Sequence, residues 1–189
     1  MYPFSAKRKI PEPQVLRQEF TLRTLYPGDE AELSQHLVRL SDADRRIRFG
    51  HTVSDRFLHN YAELMLRPGA LVHAATVDGI IRGVAEARAA FATEGDMEAA
   101  FTVETGFKGR GMGSALFDHL MRAIASAGHR RVVMAVIRSN TRMIALAQKN
   151  GAILLDGPAQ VPAPLGDELV EDVLCLVLDL ANSPWAAAY

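Results

Sequence analysis

Hydrophobic and polar positions along the chain follow two periods, and the switches between them mark out the elements. Phe20 to Leu25 alternates as a strand, and after Pro27-Gly28-Asp29 the stretch Ala31 to Leu40 places Leu33, Leu37 and Leu40 at helical spacing. A short second helix is predicted over Ala43 to Phe49. A third starts at Ser54-Asp55, carries Phe57, Leu58, Tyr61, Leu64 and Met65, and ends near Pro68-Gly69. Leu71 to Val77 and Ile80 to Ala90 flank Asp78-Gly79, a two-residue hairpin signal because both turn positions tolerate positive φ. Met97 to Glu104 predicts a strand, Gly111 to Ala127 a helix with Leu116, Leu120, Ile124 and Ala127 on one face, and Arg131 to Ile137 a buried strand, together a crossover unit. Asn140 to Lys149 reads as a helix with Ser139 or Asn140 as N-cap and Asn150-Gly151 as a left-handed stop. Ala152 to Asp156 and Leu169 to Leu180, separated by Gly157-Pro158 and Pro162-Ala163-Pro164, close what is predicted to be a mixed sheet with helices.

Composition narrows this picture. At 189 residues, about half of them apolar, the chain suits one domain with a core that needs no staples. Met1 to Arg17, with Pro3, Pro11, Pro13 and Lys7-Arg8-Lys9, reads as a mobile arm; 18–181 forms the domain and 182–189 a C-terminal tail. A net charge of −1 favours neither nucleic acid nor an anionic membrane as partner. No segment has the roughly 20 apolar residues of a bilayer span, and the N-terminus lacks the apolar region of a signal peptide. Cys175 is the one cysteine, so an intrachain disulfide is impossible, which fits a cytoplasmic location. It lies in the apolar run Val173-Leu174-Cys175-Leu176-Val177 and reads as a buried structural thiol. The six histidines lack metal-ligand spacing, so no metal is expected. The tail Trp185-Ala186-Ala187-Ala188-Tyr189 and the apolar last strand could serve a homodimer contact.

Chemistry concentrates at Phe101-Thr102-Val103-Glu104-Thr105-Gly106-Phe107-Lys108-Gly109-Arg110-Gly111-Met112-Gly113-Ser114, where an apolar strand meets a glycine-rich turn that opens onto a helix. Unpaired N–H groups and the positive end of the helix dipole make such a junction an anion cradle. Gly109, Gly111 and Gly113 let a ligand approach the main chain, while Lys108 and Arg110 add positive charge. A Walker loop would need Lys and Ser or Thr directly after its last glycine, but Gly111 is followed by Met112-Gly113. The dinucleotide fingerprint fails at Ser114, where its third glycine belongs.

A third pattern, Gln/Arg-x-x-Gly-x-Gly/Ala, reads here Lys108-Gly109-Arg110-Gly111-Met112-Gly113, with lysine in the first place. Leu22-Arg23-Thr24-Leu25-Tyr26-Pro27-Gly28-Asp29-Glu30 precedes it; Ser139-Asn140-Thr141-Arg142 and Lys149-Asn150-Gly151 follow. In this order the motifs resemble the GNAT superfamily of acyl-coenzyme-A-dependent N-acyltransferases, from about Phe20 to about Leu180. Leu40-Ser41-Asp42-Ala43-Asp44-Arg45-Arg46-Ile47-Arg48-Phe49 is more weakly similar to a segment in the GNAT domains of bacterial protein-lysine acetyltransferases. The resemblance implies an α/β (α+β) fold: a mixed, mostly antiparallel sheet of six to seven strands, helices on both faces, and central strands splayed to admit acetyl-CoA. It further implies that Lys108, Gly109, Arg110, Gly111, Met112, Gly113 and Ser114 hold the pyrophosphate. Phe101, Thr102 and Val103 would pair with the pantetheine arm, and an N–H near Val103 would polarise the thioester carbonyl.

Acyl transfer to an amine also needs a proton acceptor. Glu98, ten positions before Lys108 on the strand expected to line the thioester, is the expected general base, as a glutamate commonly stands there in protein-lysine acyltransferases. The plainer reading is an ion pair with a residue such as Arg88. Glu86, expected at the surface, and Glu104 are the competing carboxylates. Asn140 reads as a helix cap or a pantetheine ligand, Arg142 and Arg138 as phosphate partners or solvated charges, and Arg45-Arg46-Arg48 as a charged helix face or a contact for an acidic acceptor protein. The tyrosine that supplies a proton to the leaving thiolate in many GNAT enzymes is replaced by Ala147. The expected function is acetyl transfer from acetyl-CoA to a primary amine of a protein lysine, an N-terminus or a small molecule. The alternative is a regulatory domain that binds acyl-CoA without turnover.

Overall fold

A computed structural model describes residues 19–90, 95–155 and 173–186. The arm 1–17, the Pro-rich connection 157–167 and the end of the tail lie outside the described residues. The elements run β1 (Thr21–Thr24), α1 (Glu30–Arg39), α2 (Asp42–Phe49), α3 (Asp55–Met65), β2 (Leu71–Val77), β3 (Ile80–Ala89), β4 (Met97–Val103), α4 (Met112–Ser126), β5 (Arg131–Ile137), α5 (Thr141–Lys149), β6 (Ile153–Leu154) and β7 (Val173–Asp179). A 3₁₀ turn at Thr105–Phe107, which the sequence pattern does not announce, joins β4 to the glycine loop.

Local chemistry explains most boundaries. Ser41 and Ser54 accept the N–H groups of Asp44 and Phe57 and so start α2 and α3, while Gly50 at φ 81° ends α2 in the left-handed conformation. The β2–β3 turn places Asp78 at φ 52° and Gly79 at φ 75°, the paired positive angles that match strand twist. In β6, Ile153 and Leu154 register with Val177 and Leu176 of β7, the Leu155 N–H donates to the Cys175 carbonyl at 2.9 Å, and Ile153 and Leu154 are exposed at the sheet edge.

The seven strands form one sheet in the order β1-β2-β3-β4-β5-β7-β6. Neighbours are antiparallel except β4 and β5, the parallel pair that α4 connects. Helices α1, α2 and α3 cover one face through Leu33, Leu37, Phe49 and Leu58, packed with Val72 and Val84. α4 and α5 cover the other through Leu116, Phe117, Leu120 and Ala147, packed with Ala85, Ala99, Val132 and Leu176. Trp185 belongs to this second core: its ring meets Phe117 edge-on and its Nε1–H donates to Asp118 at 2.6 Å. The tryptophan that the sequence offered to a dimer contact is therefore 7% exposed and satisfied within its own chain.

Gly83 on β3 sets how closely α4 approaches the sheet. A Cβ there would lie 2.9 Å from Met112 Sδ, 3.0 Å from Leu116 Cδ1 and 3.2 Å from the Thr102 carbonyl oxygen. Gly83→Ala is expected to destabilise the fold by about 1–2 kcal/mol, since two of the obstacles are mobile side-chain ends and one is backbone. Urea denaturation measures this; a midpoint at or above wild type would show that α4 can retreat freely.

Candidate active site

The two central strands part company after a short contact. β4 and β5 pair at Met97–Val132 and Glu98–Val133 only. Beyond that point β4 stays with β3 as far as Val103 opposite Gly83, and β5 stays with β7 as far as Ile137 opposite Val173. The result is a wedge in which backbone groups of Ala99–Val103 have no strand partner on the β5 side, an edge that an extended ligand can complete. Glu98 stands at the closed end of the wedge, and the glycine loop at the open end.

The loop is built as an anion site. Gly109 and Gly111 adopt φ 75° and 86°, which residues with a Cβ reach only under strain. Gly111 is the N-cap of α4, no side chain caps that helix, and the first helical bond runs from Ala115 N–H to Gly111 C=O. The amides of Met112, Gly113 and Ser114 thus precede the first intrahelical bond, with the positive end of a 15-residue helix dipole behind them.

Loop and wedge open into a cavity of about 600 Å³. Of the expected coenzyme residues, Phe101, Thr102, Val103, Lys108, Gly109, Gly111, Gly113, Ser114, Asn140 and Arg142 line it. Met112 and Arg110 do not: the Met112 side chain is buried beneath α4, and the Arg110 guanidinium lies 5.7 Å from the centre of the Phe107 ring. Asn140 lines the cavity while its side chain accepts the Met143 N–H at 3.3 Å, so the cap and a polar wall coexist in one residue. Ala147 is fully buried in the core, and Met143 and Leu146 present the cavity face of α5 instead.

The opposite wall comes from Leu40 at the end of α1 and from Asp44, Ile47 and Arg48 of α2, within the helical region 31–66 expected to border the acceptor side, though sequence reasoning did not single out Leu40, Asp44 or Ile47. Their spacing along consecutive turns was the available signal. Asp44 accepts from Lys108 Nζ and, at 2.7 Å, from Thr105 Oγ1. Burial raises the Asp44 pKa, but the bonds from Lys108, Thr105 and Ser41 outweigh this and hold it below the usual carboxylate range. Lys108 is thereby engaged in fastening the loop to α2, a role different from the free positive charge expected beside a phosphate. Nor do Arg45, Arg46 and Arg48 share one charged face. Arg45 turns back onto the carbonyls of Val38 and Leu40, Arg48 is partly buried against Glu86 and Tyr61, and Arg46 alone of the three is exposed.

The carboxylates separate by environment. Glu86, expected at the surface, is 6% exposed and accepts from both Arg48 and Tyr61. Burial lifts the Tyr61 phenol well above its ordinary range. Burial opposes the Arg48 charge, yet Glu86 more than restores it, so Arg48 stays a cation. Glu98 lies behind the main cavity in a water-sized recess shared with Arg48, Glu86, Arg88 and Ala100, and Arg48 borders both spaces. Its nearest cation is Arg88 at 3.5 Å; burial raises its pKa while Arg88 and Arg48 oppose the rise. Glu104, near the loop, faces α1 and accepts from His36 Nδ1 at 3.1 Å, Arg39 Nε at 2.9 Å and Arg82 at 2.9 Å. Burial alone would raise it, but these bonds hold it down at about 2. The Cys175 thiol is only half-buried, and burial and the Glu98 charge push its pKa up, away from thiolate chemistry.

A sheet that splays beside an uncapped, glycine-opened helix defines an acyl-coenzyme-A-dependent acyltransferase architecture. Residues 35–152 match the family model of the acetyltransferase (GNAT) family, and the chain belongs to that family. Solved structures with the same fold include the GNAT domain of Streptomyces lividans PAT (22% identity, 84% of this chain and 89% of that one, TM-score 0.67). They also include yncA of Salmonella typhimurium with its cofactor acetyl-CoA (22% identity, 86% and 94%, TM-score 0.65) and a ribosomal-protein-alanine N-acetyltransferase from Brucella melitensis (21% identity, 85% and 99%, TM-score 0.65). No curated protein matches. Acetyl-CoA is the acyl donor of this family, and the loop and wedge suit its anionic and extended parts. Among the described residues, no helix is long and apolar enough to cross a membrane.

Because Glu104 is held low in the folded state, its stabilising contribution is complete above the ordinary glutamate pKa of about 4.3 and is lost as pH falls towards about 2. Glu104→Gln is expected to cost about 3 kcal/mol at neutral pH by stranding its cationic partners. The gap from wild type should close on acidification. Urea titrations at several pH values check this, and a pH-independent gap would contradict it.

Proposed function

We propose that the protein transfers the acetyl group of acetyl-CoA directly to a primary amine, with Glu98 as the general base. The observation that carries this reading is the alignment of an open helix N-terminus, an unpaired strand edge and a desolvated carboxylate along one wedge. The amides of Met112, Gly113 and Ser114 suit the donor's phosphates, the β4 edge suits its extended arm, and an N–H near Val103 suits the thioester carbonyl. Burial moves Glu98 towards a pKa at which a carboxylate can accept a proton from an ammonium, with water in the recess beside Arg48 as the intermediary.

The acceptor is a primary amine that enters past the α1–α2 wall. With Arg45 and Arg48 turned inward, the α2 arginines no longer argue for an acidic protein partner, and protein lysines, N-termini and small amines stand as equal candidates. A second reading, a regulatory domain that binds acetyl-CoA without turnover, is favoured by two features. Ala147 supplies no hydroxyl, and Glu98 sits behind Arg48 in an ion pair with Arg88.

Glu98 must be ionised to act, so kcat/KM should rise with pH through its elevated pKa. Glu98→Gln should abolish that limb and reduce kcat about 100-fold while leaving acetyl-CoA affinity unchanged. Thiol release with a panel of amines, alongside calorimetry, checks this. Undiminished turnover of the variant across the pH range would remove Glu98 as base, and binding without turnover by wild type on every amine would favour the regulatory reading.

A further inference from the structure

Direct acetyl transfer moves more than one proton. After an ammonium has lost its first proton, attack on the thioester leaves a second on the nitrogen of the adduct, while the departing sulfur takes one up. Glu98 serves the first of these. Four residues along a strand separate its Cα from that of Thr102 by about 13 Å, so a group placed nearer the loop is needed beside the sulfur. The position that supplies a tyrosine hydroxyl in many GNAT enzymes is the buried Ala147.

Thr102 lies on the unpaired stretch of β4 and lines the cavity. Its Oγ1 is 2.9 Å from His36 Nε2, and His36 Nδ1 is 3.1 Å from Glu104 Oε1. His36 is completely buried, so water does not compete for either ring nitrogen. The charged groups around it are Arg39 of its own helix, Glu104 just after β4 and Arg82 of β3, and the two arginines bind Glu104 and keep it ionised. An ionised carboxylate only accepts, which assigns the imidazole hydrogen to Nδ1 and leaves the Nε2 lone pair for the Thr102 hydroxyl. The hydroxyl hydrogen therefore turns inward, and the oxygen lone pairs remain for the cavity. This is the geometry of a hydroxyl–imidazole–carboxylate relay.

We propose that Thr102, His36 and Glu104 form a proton relay that carries the amine's second proton to the leaving thiolate. This rests on the acetyl-transfer reading above. Thr102 Oγ1 accepts the N–H proton of the adduct as its own proton passes to His36 Nε2, and the imidazolium is stabilised by Glu104. When the C–S bond breaks and the electron pair goes to sulfur, His36 returns its proton to Thr102, and Thr102 protonates the thiolate. The relay ends as it began, with one proton moved from nitrogen to sulfur and no further reactant consumed. Thr102 is the group that touches the reacting atoms; His36 and Glu104 act through it.

The test compares wild type, Thr102→Val and Thr102→Ser. Valine keeps the shape without the hydroxyl and is expected to lower kcat about 100-fold, with unchanged acetyl-CoA affinity by calorimetry and loss of the solvent isotope effect carried by the relay. Serine is expected to restore both. Independently of turnover, ¹⁵N NMR of donor-free protein should show His36 as the neutral Nδ1–H tautomer, with its Nε2 signal shifted in Thr102→Val. A valine variant with wild-type kcat, a loss confined to donor affinity, or acetyl-Thr102 trapped with acetyl-CoA alone would overturn the relay while leaving acetyl transfer standing. A wild-type protein that binds acetyl-CoA but turns over no amine would overturn both.

Discussion

The parting of β4 from β5 after Glu98 and Val133 is the constraint on which the rest of the molecule depends. Parallel strands normally stay in register for as long as both continue, and here each keeps its outer partner while the inner ladder stops. The end of β4 is fixed by a set of polar contacts: His36 on Thr102, and His36, Arg39 and Arg82 on Glu104. The Glu104 N–H also stays on the Arg82 carbonyl, holding this end of β4 to β3. A buried carboxylate with so many donors is costly to disturb, so the wedge is held open before any ligand arrives.

From that opening the division of labour follows. The α4 face of the sheet is apolar and tightly packed, with Gly83 admitting Met112 and Leu116, and it gives the glycine loop a rigid base. The α1–α3 face carries the polar apparatus, because Glu98, Ala100 and Thr102 of β4 and Glu104 just after it alternate towards α1 and α2. Alternation along one strand thus separates a scaffold from a reactive surface. Asp44 ties the two together, since its bonds from Lys108 and Thr105 fasten the glycine loop to the helix that also carries Arg48.

Arg48 illustrates how burial changes the meaning of a charged residue. In a short helix dense with arginine it looks like solvent-facing charge, yet it is enclosed by Glu86, Tyr61, Phe49 and the two cavities. Its charge persists because Glu86 compensates for lost hydration, and the pair in turn shapes the recess in which Glu98 is desolvated. Glu98, Arg48 and Glu86 thus share one recess, in which the charge of each bears on the others.

Periodicity and turn chemistry were sufficient to locate the strands and α-helices, as at Asp78-Gly79 and Gly111, because the forces involved act within a few residues. The glycine loop was readable for the same reason: positive φ and a free helix end are local properties. The 3₁₀ turn at Thr105–Phe107 escaped for want of a distinctive residue pattern. The Glu98–Arg88 pair was legible as neighbouring strand positions, but the partners of charges far apart in the chain were decided by tertiary structure. Glu86 with Arg48, Lys108 with Asp44 and Glu104 with His36 join residues 38, 64 and 68 positions apart. Charge carries no address in a sequence; only the folded chain's geometry and desolvation determine which opposite charge it meets.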